Sequence, residues 1–121
     1  MKIAKIMMFF LLILGLTAAV AFAAGDAARG KALFNDPKFA GGSKSCGECH
    51  PNGKGLENAG TKKEFRVMHK KQKSLEEAVN ECIVAANKGK AIDVKSQQMQ
   101  DIVAYIRSLK GGAGKKPAAG Y

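Results

Sequence analysis

The chain of 121 residues has no tryptophan, only two tyrosines and six phenylalanines, three cysteines, two histidines, and half as many acidic residues as basic ones. Each shortage excludes something. Few aromatics leave little bulk for a purely hydrophobic core. Three cysteines are too few for the disulfide framework of a small secreted scaffold, and one of them must remain after any pairing. Ten acidic against 20 basic residues, a formal net charge of +10, exclude an acidic, cation-collecting surface. A balance of that sign favours encounter with acidic partners instead.

One long uncharged run stands out, Ile6 to Ala24, preceded by Lys2 and Lys5. A charged start, an apolar stretch from Ile6 to Leu16 and small residues at Ala21-Phe22-Ala23 have the layout of a cleaved secretory signal. Residues 1–24 are therefore expected to be removed on export. The competing reading is an uncleaved anchor, because the 19-residue run could just span a bilayer. Removal leaves about 97 residues with 18 basic against 10 acidic, a length marginal for a self-sufficient core. Nucleic acid is the usual partner for such a charge, but an exported protein seldom meets it.

What is present, against these shortages, is Cys46-Gly47-Glu48-Cys49-His50. Two thiols three positions apart with a histidine directly after the second form the attachment pattern of a c-type haem. Each sulfur can form a thioether to one vinyl group, and the imidazole of His50 is the proximal iron ligand. Its second ring nitrogen is expected to donate to a backbone carbonyl of the glycine-rich loop that follows. Zinc competes poorly, because only Cys82 and His69 remain as further ligands and they stand far apart. A redox dithiol of the thioredoxin kind is the other alternative. The export signal favours haem over both. The pattern occurs once, so one covalently attached haem c is expected, and its flat apolar surface would supply the core that the polypeptide lacks.

The rest of the chain reads as short helices around that motif. Gly25 to Asn35 is a helix with Asp26 as N-cap, stopped by Asp36-Pro37. Lys38 to Ser45 and Pro51 to Thr61 are loops rich in glycine. Lys62 to Lys73 is basic with few apolar residues and reads as a weak helix or loop along one haem edge. Ser74 and Glu77 form a capping box. The helix it opens places Leu75, Ala78, Val79, Cys82, Ile83 and Ala86 on one face and closes at Asn87-Lys88-Gly89. Ser96 caps a last helix with the stripe Met99, Ile102, Val103, Ile106 and Leu109, ended by Gly111, and the tail 111–121 reads as disordered.

On these residues the chain resembles the class I c-type cytochromes. Gly30-Lys31-Ala32-Leu33-Phe34 looks like the family's first helix, CGECH like its haem site, and Met99 to Leu109 like its last helix. The resemblance implies an all-α fold, a small cytochrome c-like arrangement of three to five short helices wrapped around one covalent haem, with the domain at residues 25–110. It also implies that the first and last helices cross, with Gly30 and Phe34 against Ile102 and Tyr105.

The sequence departs from that family at the sixth iron ligand, because Asn87 to Ser96 contains neither the methionine nor the proline usual there. Met99 and Met68 are the methionine candidates, although Met99 sits in the helical stripe of a core residue. The stretch Val79-Asn80-Glu81-Cys82, with Lys88 to Ile92 and Ser96 to Met99, is similar to haem domains of the thiosulfate dehydrogenase and SoxA group. That resemblance implies Cys82 as distal ligand; a buried structural thiol is the alternative. His69, among Lys62, Lys63, Arg66, Lys70, Lys71 and Lys73, reads as a solvated histidine rather than a ligand.

Two functions follow as expectations. The first is a periplasmic monohaem cytochrome that passes single electrons between acidic-surfaced redox proteins, with no nucleic acid partner and no membrane contact after signal removal. The second is a haem subunit or enzyme of thiosulfate-type oxidation that uses Cys82 at the distal face. The first is favoured, for want of a second redox centre in the chain.

Overall fold

The computed structural model describes residues 24–109, so most of the expected signal segment and the tail 111–121 lie outside the described residues. The fold is mostly helical. Helix α1, Ala27–Phe34, begins where the Asp26 carboxylate accepts from the backbone N–H groups of Ala28 and Arg29. Those are donors that the first helical turn cannot satisfy internally. The helix ends at Asn35, whose N–H closes the last turn before Asp36-Pro37.

Helix α4, Gln97–Ser108, is capped by the Ser96 hydroxyl, which accepts from the Met99 N–H at 3.2 Å. Its buried face is Met99, Ile102, Val103, Tyr105 and Ile106, as the helical period predicts. α1 crosses α4 where side chains are smallest: a Cβ at Gly30 would overlap the Asp101 carbonyl oxygen. One turn further along, Phe34 meets Tyr105 edge to face, with ring centroids 5.1 Å apart at 64°. A polar clasp closes the crossing. The buried Asp101 carboxylate accepts from the Asp26 N–H at 2.7 Å, from Gln97 Nε2 at 2.8 Å and from Arg29 Nε at 3.1 Å.

Between these helices lie the shorter elements. Helix α2 is a single turn, Cys46–Cys49. The segments expected as loops contain 3₁₀ turns at Phe39–Gly41, Pro51–Gly53 and Ala59–Thr61. Helix α3, Leu75–Glu81, opens at Ser74, whose hydroxyl accepts from the Glu77 N–H, although the Glu77 carboxylate accepts from the Lys73 N–H rather than closing the expected capping box; the helix continues as a wider π turn over Cys82–Ala86. The loop before α4 is pinned to α3 by one side chain: Asn80 Nδ2 donates to the Ile92 carbonyl at 2.8 Å and Oδ1 accepts from the Ile92 N–H at 2.9 Å. Phe34, Phe39, Leu75, Val79, Ile83, Met99 and the α4 face form one core. Among the described residues no helix is long and apolar enough to cross a membrane.

The wholly helical expectation needs one correction. Residues 62–73 form neither helix nor plain loop but an antiparallel hairpin, β1 (Phe65–Val67) with β2 (Lys70–Gln72). Phe65, Val67 and Gln72 are partly buried while Arg66 and Lys71 are exposed, the period-2 pattern of a one-sided ribbon. The connection is Met68-His69, with φ of +49° and +69°. Positive φ at both central residues is the geometry of a type I′ turn, for which Asn-Gly is the usual signal. Met-His gives no such signal, so the composition hides the hairpin.

Burial pushes the Asp101 carboxyl up, but the Asp26 N–H, Gln97 and Arg29 outweigh it and hold it below the ordinary carboxylate value. A folded value below the unfolded one, which is near 4, stabilises above about pH 4 and is lost as pH falls through the folded value. Asp101→Asn is therefore expected to cost about 2 kcal/mol at neutral pH and to flatten the loss of stability below about pH 4. Denaturant unfolding of both proteins at pH 7 and pH 3 checks this; an equal gap at the two pH values would refute the assignment.

Candidate functional site

The site is built outward from α2. The Ser45 hydroxyl accepts from the Glu48 N–H at 3.2 Å while the Glu48 carboxylate accepts from the Ser45 N–H at 3.3 Å, a reciprocal capping box that winds Cys46 to Cys49 into one turn. Residues three apart on a turn lie on one side, so both thiols face the same way. Cys46 is half-buried and Cys49 exposed. The turn closes through the His50 N–H to the Cys46 carbonyl at 2.9 Å, and the chain then bends through Asn52 at φ +53°.

That bend positions the imidazole. His50 Nδ1 lies 3.0 Å from the Lys54 carbonyl oxygen, which can only accept, so Nδ1 carries the proton and Nε2 keeps the free lone pair. The carbonyl acceptor expected from the loop is thus Lys54.

Cys46, Cys49 and His50 line a cavity of about 460 Å³, within the size range of cofactor pockets. Its apolar walls come from Phe34, Leu56, Leu75, Val79, Ile102 and Ile106. The hairpin supplies a further wall with Phe65, Val67 and Met68. Cys82 lines it too, from the first residue of the π turn, where its carbonyl accepts from the Asn87 N–H at 3.0 Å. The turn inserts one residue relative to α-helical winding, and such insertions recur at functional sites.

The remaining candidates fall in different places. Met68 borders the cavity from the hairpin turn and is 59% exposed. Met99 is fully buried in the hydrophobic core and is not among the cavity-lining residues. His69 is exposed beside Met68 and also outside the lining. Burial pushes the Cys82 thiol up to about 11, with Cys46, Cys49 and Glu81 adding to the effect. Burial raises Cys46 as well, against a hydrogen bond from Asn87. Both cysteines are therefore thiols at neutral pH in the absence of a metal.

Asn87 was legible only as a helix-ending residue. In the structure its buried side chain donates from Nδ2 to Cys46 Sγ at 3.4 Å. Its backbone carbonyl accepts from the Ser43 N–H at 2.9 Å. One residue thus ties the end of the Cys82 turn to the segment that delivers Cys46. No sequence pattern signals this, because the partners are 41 positions apart.

The donors fit a flat group better than a bare ion. Among the described residues no three His, Cys, Asp or Glu side chains converge to hold a metal ion. Cys46, Cys49, His50 and Cys82 instead stand around an apolar cavity, the arrangement that a macrocycle with its own iron requires. The family model of the SoxA/TsdA cytochrome c domain matches residues 29–113. The match covers well over half of the chain, and the chain belongs to that family. Comparison with curated proteins and with solved structures finds no match. A cytochrome c domain implies a covalently bound haem c and an electron-transfer role for it.

If Asn87 acts through Cys46, replacing it should matter less once the sulfur is gone. Asn87→Ala is expected to cost the haem-loaded protein about 1 kcal/mol. Most of that cost should vanish in a Cys46→Ala background, as read by a double-mutant cycle of denaturant unfolding. Equal losses in both backgrounds would assign Asn87 to the backbone closure alone.

Proposed function

We propose, from membership in the SoxA/TsdA cytochrome c family, that this chain is a periplasmic monohaem carrier of single electrons. Cys46 and Cys49 hold the haem by thioethers, His50 Nε2 is the proximal ligand, and Cys82 is the distal ligand. When bound, the haem iron supplies reversible one-electron exchange. The residues of the chain supply attachment, orientation of the imidazole through Lys54, an apolar wall that excludes water, and a basic surface. That surface favours acidic redox proteins as partners.

The observation that carries the distal assignment is Cys82 at the cavity wall while Met99 is fully buried in the core outside that wall. Met68 borders the cavity too, but its side chain stands more than half in solvent. Cys82 would ligate a ferric iron as the thiolate, giving up the proton that it otherwise holds. A second reading has support from the same sulfur: a haem subunit in thiosulfate-type oxidation, with Cys82 at the reacting face. The family name favours that reading. The single CxxCH in the sequence favours the carrier.

Optical and electron paramagnetic spectra of the ferric protein test the assignment. Low-spin thiolate signals are expected, and Cys82→Ser should remove them and raise the reduction potential by on the order of 100 mV. A far-red methionine–iron band in the unaltered protein, with spectra insensitive to Cys82→Ser, would transfer the role to Met68. Turnover of thiosulfate by the chain alone would favour the second reading.

A further inference from the structure

The hairpin holds a repulsion that its own folding does not require. The register sets Arg66 directly opposite Lys71, and both are exposed. Like charges in directly opposed positions destabilise a ribbon, and a two-stranded ribbon has little stability to spare. Lys62, Lys63 and Lys73 flank the pair and are exposed as well.

The carboxylates nearby are already engaged or weakly placed. Glu81 Oε1 pairs with Lys70 Nζ at 3.0 Å, on the α3 side of the ribbon. Glu77 accepts from the Lys73 backbone N–H at 2.9 Å. Glu64 is 3.8 Å from Lys71 Nζ, with both side chains at least 70% exposed, a geometry worth little in water. Among the described residues, the exposed face thus keeps an excess of positive charge. At its turn stands Met68, 59% exposed, the most exposed of the large apolar side chains described. The same turn borders the cavity, together with Arg66 and Lys62.

A single apolar centre within a rim of cations matches one kind of occupant. A membrane surface would call for several exposed apolar side chains, yet Phe65 and Val67 turn partly inward. A nucleic acid strand would call for exposed aromatic platforms, and none stands on this face. We propose that the exposed face of the hairpin is the docking surface for an acidic protein, whose carboxylates fit between Arg66 and Lys71 while Met68 forms the dry centre. The identity of that protein as a redox partner rests on the electron-carrier reading; the docking itself does not. A partner carboxylate would relieve the Arg66–Lys71 repulsion, so the charge arrangement that weakens the ribbon alone strengthens the complex.

The test uses the full haem-loaded chain in its reduced form, titrated with a deca-glutamate peptide at low salt and followed by backbone amide NMR. Shifts are expected to cluster at residues 62–73 and to disappear at roughly 0.5 M salt. Lys71→Glu should weaken binding about tenfold, whereas Lys31→Glu, the same charge change on α1, should leave it within about twofold. Lys71→Glu should also keep the melting temperature, because the attraction it gains to Arg66 offsets the weak contact it loses to Glu64. A variant that merely damaged the fold would lower both.

Equal weakening by the two variants, shifts spread over lysines of the whole surface, or binding to vesicles rich in phosphatidylglycerol but not to the peptide would overturn the proposal. Electron exchange with hexacyanoferrate(III), measured in parallel, separates the two readings. Shifts on the hairpin without exchange would leave the docking surface standing and remove the carrier.

Discussion

The crossing of α1 and α4 is the constraint on which the rest of the molecule depends. It works because Gly30 has no Cβ to collide with the Asp101 carbonyl, and because Phe34 and Tyr105 then meet edge to face. Asp101 turns the contact into a clasp with three donors, two of them from α1 and its cap residue. With the two helices fixed, Phe34 from one and Ile102 and Ile106 from the other form adjoining parts of one cavity wall. The attachment turn, α3 and the hairpin then close the remaining sides. A chain of this length without tryptophan cannot fill such a cavity by itself. The cavity is the reason a bound macrocycle belongs to the fold rather than merely sitting on it.

How much of this was legible in the sequence depends on whether the signal was local. The ends of α1, α3 and α4 were, because Asp26, Ser74 and Ser96 satisfy orphaned N–H groups within their own first turns. The stripe of α4 was legible for the same reason, since a 3.6-residue period is written within a dozen residues. The hairpin was not. Its turn relies on positive φ at Met68 and His69 rather than on the Asn-Gly pair that marks such turns, so tertiary packing of Phe65 and Val67 decides the ribbon where local propensity does not.

The site divides along the same line. Cys46, Cys49 and His50 declare themselves through spacing, and the capping box around them is local as well. The carbonyl that orients His50 lies four residues away and was foreseeable in kind. On the opposite wall nothing is local. Whether Cys82 faces the cavity depends on a π turn that widens the helix at that residue, closed by Asn87. A helical wheel drawn from the sequence places Cys82 on the apolar face but cannot distinguish a thiol packed in the core from one that lines a cavity.

The two walls of the cavity are therefore under different kinds of control. The attachment side is held by hydrogen bonds between near neighbours, so distant substitutions should leave it in place. The distal side is held by links of long range: Asn80 to Ile92, Asn87 to Cys46 and to Ser43, Lys70 to Glu81. Those links place a half-buried soft sulfur, Cys82, and a more solvated one, Met68, on separate elements bordering one cavity. A short, half-buried cysteine side chain has less freedom to lose on reaching a metal than a long, solvated methionine, which would have to surrender its exposed rotamers. The same exposure that disfavours Met68 as a ligand suits it to a contact with another protein. One short hairpin thus borders the cavity with Phe65 and Val67 and turns a basic face, Arg66 and Lys71, to solvent.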